Sequence, residues 1–510
     1  MKNKLKEECG VFGIYGTEPL AEHAATYAYY ALYSLQHRGQ ESCGICVGDD
    51  GVMRVHKALG LVPEVFTPAV LRELGHGTMA IGHVRYSTTG APQAVNAQPI
   101  VVHHGKGNMA IAHNGNLTNA NELREEMELA GGIFHTTSDT EVIAYTITRA
   151  RLTEPSIEQA VERAMYDLKG AYSLVIMSPR KLIAARDPMG FRPLCLGKLG
   201  DAYVFASESC ALDSIGADFI RDIEPGEIVV AAPGTDGKHT LISIKTHCGG
   251  KNHLCVFEYV YFARQDSVIE GESVHIARKR AGRLLARSNP VDADVVIGNP
   301  DSALDAALGY AEESGIPYGM GIAKNRYVGR TFIQPTQNQR TASVAIKLSP
   351  LKATVNGKRV VLVDDSIVRG TTTKHIVHKL REAGATEVHL RISSPPFRCP
   401  CYFGTDVDSV ENLIANKYSA NSPGAAQISS ECSADALSVN GHSVEQLIAL
   451  DLGADSLGYL SVEDVKLIAE VPNADFCVGC FTGEYPVEPP QDSGKRKFER
   501  KLSEARKSTT

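Results

Sequence analysis

Arg359-Val-Val-Leu-Val-Asp-Asp-Ser-Ile-Val-Arg-Gly-Thr-Thr-Thr373 reads as a short apolar strand that delivers two adjacent acids, Asp364 and Asp365, to its carboxyl end. A loop with Gly370 and three threonines follows, and a helix pattern runs from Lys374 to Ala383. Open α/β sheets bind ligands at the carboxyl ends of their strands. Backbone N–H groups, threonine hydroxyls and a helix start together suit a phosphate. The stretch lacks the Gly-x-x-x-x-Gly-Lys-Ser/Thr spacing of a nucleotide P-loop, and its two acids suit a ribose diol or a magnesium ion.

Upstream, Asp294-Val-Val-Ile-Gly298 is a second apolar run, followed by a helix pattern near Ala303 to Ser314. From about residue 255, this alternation predicts parallel strands joined by helical crossovers. The first ~245 residues differ: short β-rich runs such as Met79 to Tyr86 and Asn108 to His113 are bounded by glycine and polar turns, with the clearest helix at Asn121 to Ala130. Lys245 to His253 is polar and glycine-containing, a linker between domains expected at 9–245 and 255–487. Ser419 to Ser443, rich in Ser, Ala, Asn and Gly, reads as a surface insertion, and 488–510 as a solvated charged tail.

At 510 residues the chain has room for two or more domains. Its 43% hydrophobic and 22% charged residues exclude disordered and fibrous classes. A net charge of −7 argues against nucleic acid or acidic lipid as partners, so an anionic ligand needs a local site. No apolar stretch approaches the ~18 residues of a membrane span, and Met1 to Glu8 lacks the apolar core of a signal peptide. A cytoplasmic protein is expected. Twelve cysteines are too dilute for a disulfide scaffold and read as thiols, ligands or nucleophiles.

Cys9 opens the apolar run Cys9-Gly-Val-Phe-Gly-Ile14. Were residues 1–8 a removed leader, Cys9 would carry both a thiol and an α-amine of pKa about 7.7–8.0, nucleophile and base in one residue. Alone, a cysteine at a strand start is more often a small buried hydrophobe. Polar clusters beside apolar runs follow: Gln36-His-Arg-Gly-Gln-Glu41, Gly82-His-Val-Arg-Tyr86, His113-Asn-Gly-Asn-Leu117 and Ser138-Asp-Thr-Glu141. Buried polar groups need partners, and their convergence predicts a polar pocket. Singly, Arg85 reads as a surface ion pair, Asn114-Gly115 as a turn and Asp139 as a helix cap.

Taken in order, these motifs resemble the class II glutamine amidotransferases, whose glutaminase domain is an αββα sandwich with an N-terminal nucleophile. The resemblance implies that Cys9 attacks the glutamine side-chain amide. It implies that Asn114 and the Gly115 N–H receive the oxyanion, that Arg85 pairs with the α-carboxylate and that Asp139 takes the α-ammonium. The second half resembles the type I phosphoribosyltransferases, which bind phosphoribosyl pyrophosphate (PRPP). In it Asp364 and Asp365 would hold ribose hydroxyls, and Ser366, Gly370, Thr371, Thr372 and Thr373 the 5′-phosphate. Lys324, Arg326 and Arg330, in a segment similar to that family's mobile loop, would face pyrophosphate. Ser302, in Asn299-Pro-Asp-Ser302, would join Asp364 and Asp365 around Mg2+.

Together the halves, over about residues 9–487, resemble the glutamine PRPP amidotransferases. That family implies release of ammonia from glutamine, its internal passage to PRPP, phosphoribosylamine and pyrophosphate as products, purine nucleotides as feedback inhibitors and a homotetramer. Cys477-Val-Gly-Cys480 has soft-metal spacing. One branch of the family carries a [4Fe–4S] cluster and a removed leader, and by their flanks Cys255 and Cys401 resemble its other two ligands. Cys399 and Cys248 lie close by in sequence, a zinc site of four cysteines is the chemical alternative, and unligated thiols are the plain reading. Cys43, Cys46, Cys195, Cys210 and Cys432 read as ordinary thiols. Two rivals exist. A different class II amidotransferase would need another second half, which the Asp364–Asp365 loop speaks against. A noncatalytic PRPP-sensing regulator would need a DNA-binding module and a basic face.

Overall fold

Residues 9–17, 20–86, 93–234, 239–325, 348–405, 407, 409–418 and 443–490 are described by a computed structural model. Arg326, Arg330, Cys432, residues 1–8 and nearly all of the expected insertion and tail lie outside them.

Period-two side-chain alternation builds the first half. Along the strand Gly10–Tyr15, Val11 and Tyr15 face one hydrophobic core while Phe12 and Ile14 face another. That strand sits inside a seven-stranded antiparallel sheet, in the spatial order Asp218–Asp222, Cys195–Leu199, Ala202–Ala206, Gly10–Tyr15, Met79–Arg85, Ser42–Asp49, Val52–Leu59. A six-stranded antiparallel sheet lies against it, in the order His239–Ile244, Ile228–Pro233, Leu182–Arg186, Gly170–Met177, Gly107–Leu117, Ile100–His104. The inner core joins Val11, Ile81 and Cys46 of one sheet to Ala112, Val175 and Ala184 of the other. The outer faces are covered by the helix Ala24–Ser34 on one side and by Ala120–Leu129, Asp139–Arg151 and Ile157–Met165 on the other. The result is four layers, αββα. The sheets come so close at Gly13 that a Cβ there would lie 2.5 Å from Val175 Cγ1.

The second half is built on a parallel sheet in the order Val295–Gly298, Arg359–Asp364, Glu387–Ile392, Ser456–Tyr459. Both faces are buried, as parallel strands require. Val361 and Val363 meet the core under the helices Val274–Ser288 and Leu304–Ser314. Val360 and Leu362 meet the core under Thr371–Glu382 and Val444–Leu452. The helix after the acidic pair thus starts at Thr371, one turn before the Lys374 expected from periodicity, because Gly370 (φ +78°) supplies its N-cap. Among the described residues no helix is long and apolar enough to cross a membrane.

Candidate active sites

In the sandwich, the inward-facing register extends past the core at one end. Val11, Ile81 and Ala112 point between the sheets, so Cys9, His83, Arg85 and Asn114, an even number of positions away on the same strands, do so too. Gly10 pairs with Val84, which sets Cys9 beside the end of the Arg85 strand. All four side chains are buried. The Cys9 thiol donates to the Tyr86 carbonyl at 3.5 Å. Burial pushes the thiol up to about 11, while the Tyr86 hydrogen bond and the Arg85 guanidinium pull the other way. The two sheets are tied at this end by a 3.0 Å hydrogen bond between His83 Nε2 and the His113 carbonyl. Burial holds His83 down to about 3, so the ring is neutral at pH 7 and donates.

Asn114 carries a telling orphan. Its amide Nδ2 is buried and has no hydrogen-bond partner among the described residues. Leaving a buried donor unmade costs about 1–3 kcal/mol, and such a donor is satisfied when a ligand oxygen arrives. Gly115 next to it has φ +143°, and a Cβ there would lie 2.1 Å from the Ala171 carbonyl oxygen, so only glycine fits. Asp139 is the first residue of its helix, capped by Ser138 rather than acting as the cap. Its Oδ2 accepts from Leu117 N–H at 3.0 Å and Oδ1 lies 3.7 Å from His113 Nδ1. Although burial opposes ionisation, His113, Leu117 and Arg85 hold its carboxyl below the usual range. This end of the sandwich therefore gathers a thiol, a guanidinium, an anionic carboxylate and an unused amide donor. Of the motif residues quoted above, Gln36 is occupied structurally: its Oε1 accepts from Val62 N–H at 2.7 Å.

In the second half, Asp364 and Asp365 end their strand, both buried. Asn299 Nδ2 donates to Asp364 Oδ1 at 2.9 Å, and the hydroxyls of Ser302 and Ser366 donate to the two Asp365 oxygens at 2.5 Å each. Ser302, Asp364, Asp365 and Ser366 are thus one cluster. Lys324 pairs with Asp301, beside Ser302. Thr371, Thr372 and Thr373 form the first turn of the following helix.

Tyr261 lies in the turn Glu258–Phe262 of the second half. Burial, then the nearby carboxylates of Asp365 and Asp364, push its hydroxyl up, and Tyr86 is also within its electrostatic reach. Tyr261 drew no notice in the sequence.

A third feature is a cavity at the junction of the halves, lined by Cys255, Cys401, Cys477 and Cys480 together with aromatic rings and Arg192. None of these four cysteines forms a disulfide among the described residues. Burial, then the neighbouring thiols, raise Cys480, and burial raises Cys477 to about 12. Cys399 and Cys248 do not line the cavity. Among the described residues no three His, Cys, Asp or Glu side chains stand as a ready metal-binding set. Four soft donors in an aromatic shell nonetheless suit an iron–sulfur cluster chemically.

The junction also holds buried charges that sequence reading missed. Arg38, Glu208, Glu258 and Arg192 are fully buried and mutually paired. Arg192 donates to the Phe403 carbonyl at 2.6 Å, and Phe191 stacks on Phe403 with ring centres 4.2 Å apart. Asn116 Nδ2 donates to the Tyr402 carbonyl at 2.9 Å, so the loop beside Cys401 rests on the strand of Asn114 and Gly115.

A model of the glutamine amidotransferase domain matches residues 83–214. The amidophosphoribosyltransferase of Methanocaldococcus jannaschii is 46% identical, over 94% of this chain and 98% of that one. The amidophosphoribosyltransferase of Bacillus subtilis is also 46% identical, over 96% of each chain. The chain belongs to the amidophosphoribosyltransferase family. Solved structures agree with that membership. The B. subtilis glutamine PRPP amidotransferase, complexed with ADP and GMP, superposes with a TM-score of 0.82 over 95% of this chain and 98% of that one. A structure described as the allosteric regulatory enzyme of purine biosynthesis gives 0.84 at 45% identity, over 97% of this chain and all of that one. As an amidophosphoribosyltransferase family member the chain is an enzyme of purine biosynthesis, built from an N-terminal-nucleophile glutaminase half and a phosphoribosyltransferase half.

Proposed function

We propose that this enzyme hydrolyses glutamine at Cys9 and delivers the ammonia internally to PRPP held at Asp364 and Asp365, giving phosphoribosylamine, glutamate and pyrophosphate. Arg85 would pair with the α-carboxylate of glutamine and Asp139 with its α-ammonium. The unpartnered Asn114 amide and the Gly115 N–H would stabilise the oxyanion as the sulfur attacks. With the chain cut before Cys9, its own α-amine would accept the thiol proton, which offsets the high thiol pKa. Asp364 and Asp365 would hold the ribose hydroxyls, with the 5′-phosphate at Ser366, Gly370 and the threonines of the helix start. The observation that carries this reading is the buried Asn114 amide, whose Nδ2 has no partner among the described residues at the sandwich end that holds Cys9, Arg85 and Asp139.

Ser302, Asp364 and Asp365 are hard oxygen donors and would hold Mg2+, which supplies charge neutralisation for departing pyrophosphate. Cys255, Cys401, Cys477 and Cys480 would hold a [4Fe–4S] cluster, whose role is to cross-link the junction, since the reaction moves no electrons. ADP and GMP in the B. subtilis relative support purine nucleotides as inhibitors here. A homotetramer in the cytoplasm completes the reading.

Cys9→Ala tests the two sites. Glutamine-dependent pyrophosphate release disappears while ammonia-dependent release persists; loss of both in a folded variant overturns the scheme. For the cluster, anaerobically purified protein carries about four irons per chain by its [4Fe–4S] stoichiometry. Cys480→Ser lowers that content. Iron-free protein with stoichiometric zinc would identify the zinc site instead.

A further inference from the structure

Cys9 stands immediately before the strand Gly10–Tyr15, and as the first residue of a processed chain it would fray unless something tied it down. That tie is Arg38, whose Nε donates to the Cys9 carbonyl oxygen at 2.9 Å. That bond fixes the peptide plane from which both the α-amine and the sulfur of Cys9 swing.

Arg38 is itself held by two carboxylates. Its Nη1 donates to Glu208 Oε1 at 2.6 Å and to Glu258 Oε2 at 2.9 Å, and its Nη2 to Glu258 Oε1 at 2.8 Å. Glu208 belongs to the glutaminase half, but Glu258 comes from the transferase half, 220 residues from Arg38. All three side chains have no solvent exposure. Bidentate pairing fixes a guanidinium in orientation as well as position.

Glu258 is held firmly in its turn. It opens the π-helical turn Glu258–Phe262, and its N–H donates to the Cys255 carbonyl at 3.0 Å. Arg278 spans the turn, donating to the carbonyls of Tyr259 next to Glu258 and of Ala263 at the far end, each at 2.7 Å. Arg192 approaches Glu258 Oε1 at 3.4 Å from the glutaminase side. A carboxylate so constrained is a fixed reference point supplied across the junction.

We infer that Glu258 is a positioning residue for glutamine hydrolysis: acting through Arg38, the transferase half holds the Cys9 main chain in its reactive orientation. The inference rests on the glutaminase reading of Cys9 and adds to it a dependence on a residue from the other domain. Misplacement of a nucleophile by about 1 Å costs on the order of 100-fold in rate.

The test compares Glu258→Gln, Arg38→Gln and the double variant for glutamine-dependent and ammonia-dependent synthesis. Glu258→Gln lowers kcat with glutamine about 10–100-fold, moves KM for glutamine much less, and leaves the ammonia-dependent rate within about twofold. In the Arg38→Gln background the second substitution adds no further loss, because its route to Cys9 is already cut. Additive losses, or equal losses with glutamine and with ammonia, overturn the inference and leave Glu258 a general brace. Should Glu258→Gln fail to fold, Glu258→Asp keeps the charge and withdraws it by one carbon. The same selective loss of kcat supports the inference, and an unchanged kcat overturns it. Cys9→Ala, run alongside, reports on the glutaminase reading by itself.

Discussion

Asn114 shows what one side chain can disclose. A buried amide with an unused donor is a standing cost in the resting protein, tolerated where a passing charge will use it. Asn114→Ala is expected to lower kcat for glutamine hydrolysis about 100–1,000-fold, with KM for glutamine changed far less. Steady-state kinetics with glutamine and saturating PRPP decide it, and an equal change in both constants would assign Asn114 to ground-state binding. Arg85, Asn114 and Asp139 stood out in the sequence as members of polar clusters beside apolar runs and Cys9 as the head of one, while the roles expected of them came from the order of the motifs and the resemblance it carries. Arg38 lay in one of those clusters, yet its partners could not be read, since nothing local links it to Glu208 or Glu258. The signal available for Glu258 was a single charge inside the apolar run Phe257-Glu-Tyr-Val-Tyr-Phe262.

At the scale of elements, strand ends do the work. Period-two alternation carries both the inner core and the catalytic face of the sandwich. Parallel strands bury both faces and leave their carboxyl ends for the ligand. The strand–loop–helix unit 359–382 was legible for that reason, and its helix start was misplaced by one turn because the threonines read as loop. Gly370 governs that start. With φ +78° and a Cβ site 2.5 Å from Ile414 Cδ1, alanine there meets both a backbone and a packing cost. The left-handed conformation alone costs about 1–2 kcal/mol. Gly370→Ala is expected to raise KM for PRPP roughly tenfold, as that cost appears in loop closure around the phosphate. Ammonia-dependent kinetics measure this with the glutaminase half left out, and an unaltered KM would free the loop of its phosphate role.

For the whole molecule, the junction between the halves is where charge is buried. The hairpin Val268–Ile269 and Glu272–Ser273 of the second half reaches the glutaminase sheet through Glu270, whose carboxylate takes Arg186 Nη1 at 2.5 Å. Asp222, at the sheet edge, accepts from the N–H groups of Glu270 and Gly271. Burial, then the Glu270 carboxylate, push it up to about 7. From about pH 4, the ordinary aspartate value, to pH 7 the folded protein keeps a proton that the unfolded chain releases. Stability therefore falls as pH rises through that window. Asp222→Asn holds the neutral form, so its melting temperature relative to the parent is expected to climb between pH 5 and pH 8. A difference independent of pH would show that Asp222 is ionised throughout. None of this was visible in the sequence, where the partners belong to different domains.

The pairing of Arg38 and Arg192 with Glu258 also bears on descent. Each half carries buried charge that the other neutralises, and removing one partner of such a pair typically costs about 3–5 kcal/mol. A glutaminase half grafted onto a different acceptor domain would lose the Glu258 carboxylate from both Arg38 and Arg192, leaving Arg38 with Glu208, unless the graft brought a carboxylate to the same spot. The halves are therefore not interchangeable cassettes. Substitutions along this seam are expected to be inherited as matched sets, with a change on one side tolerated only after its counterpart has changed on the other.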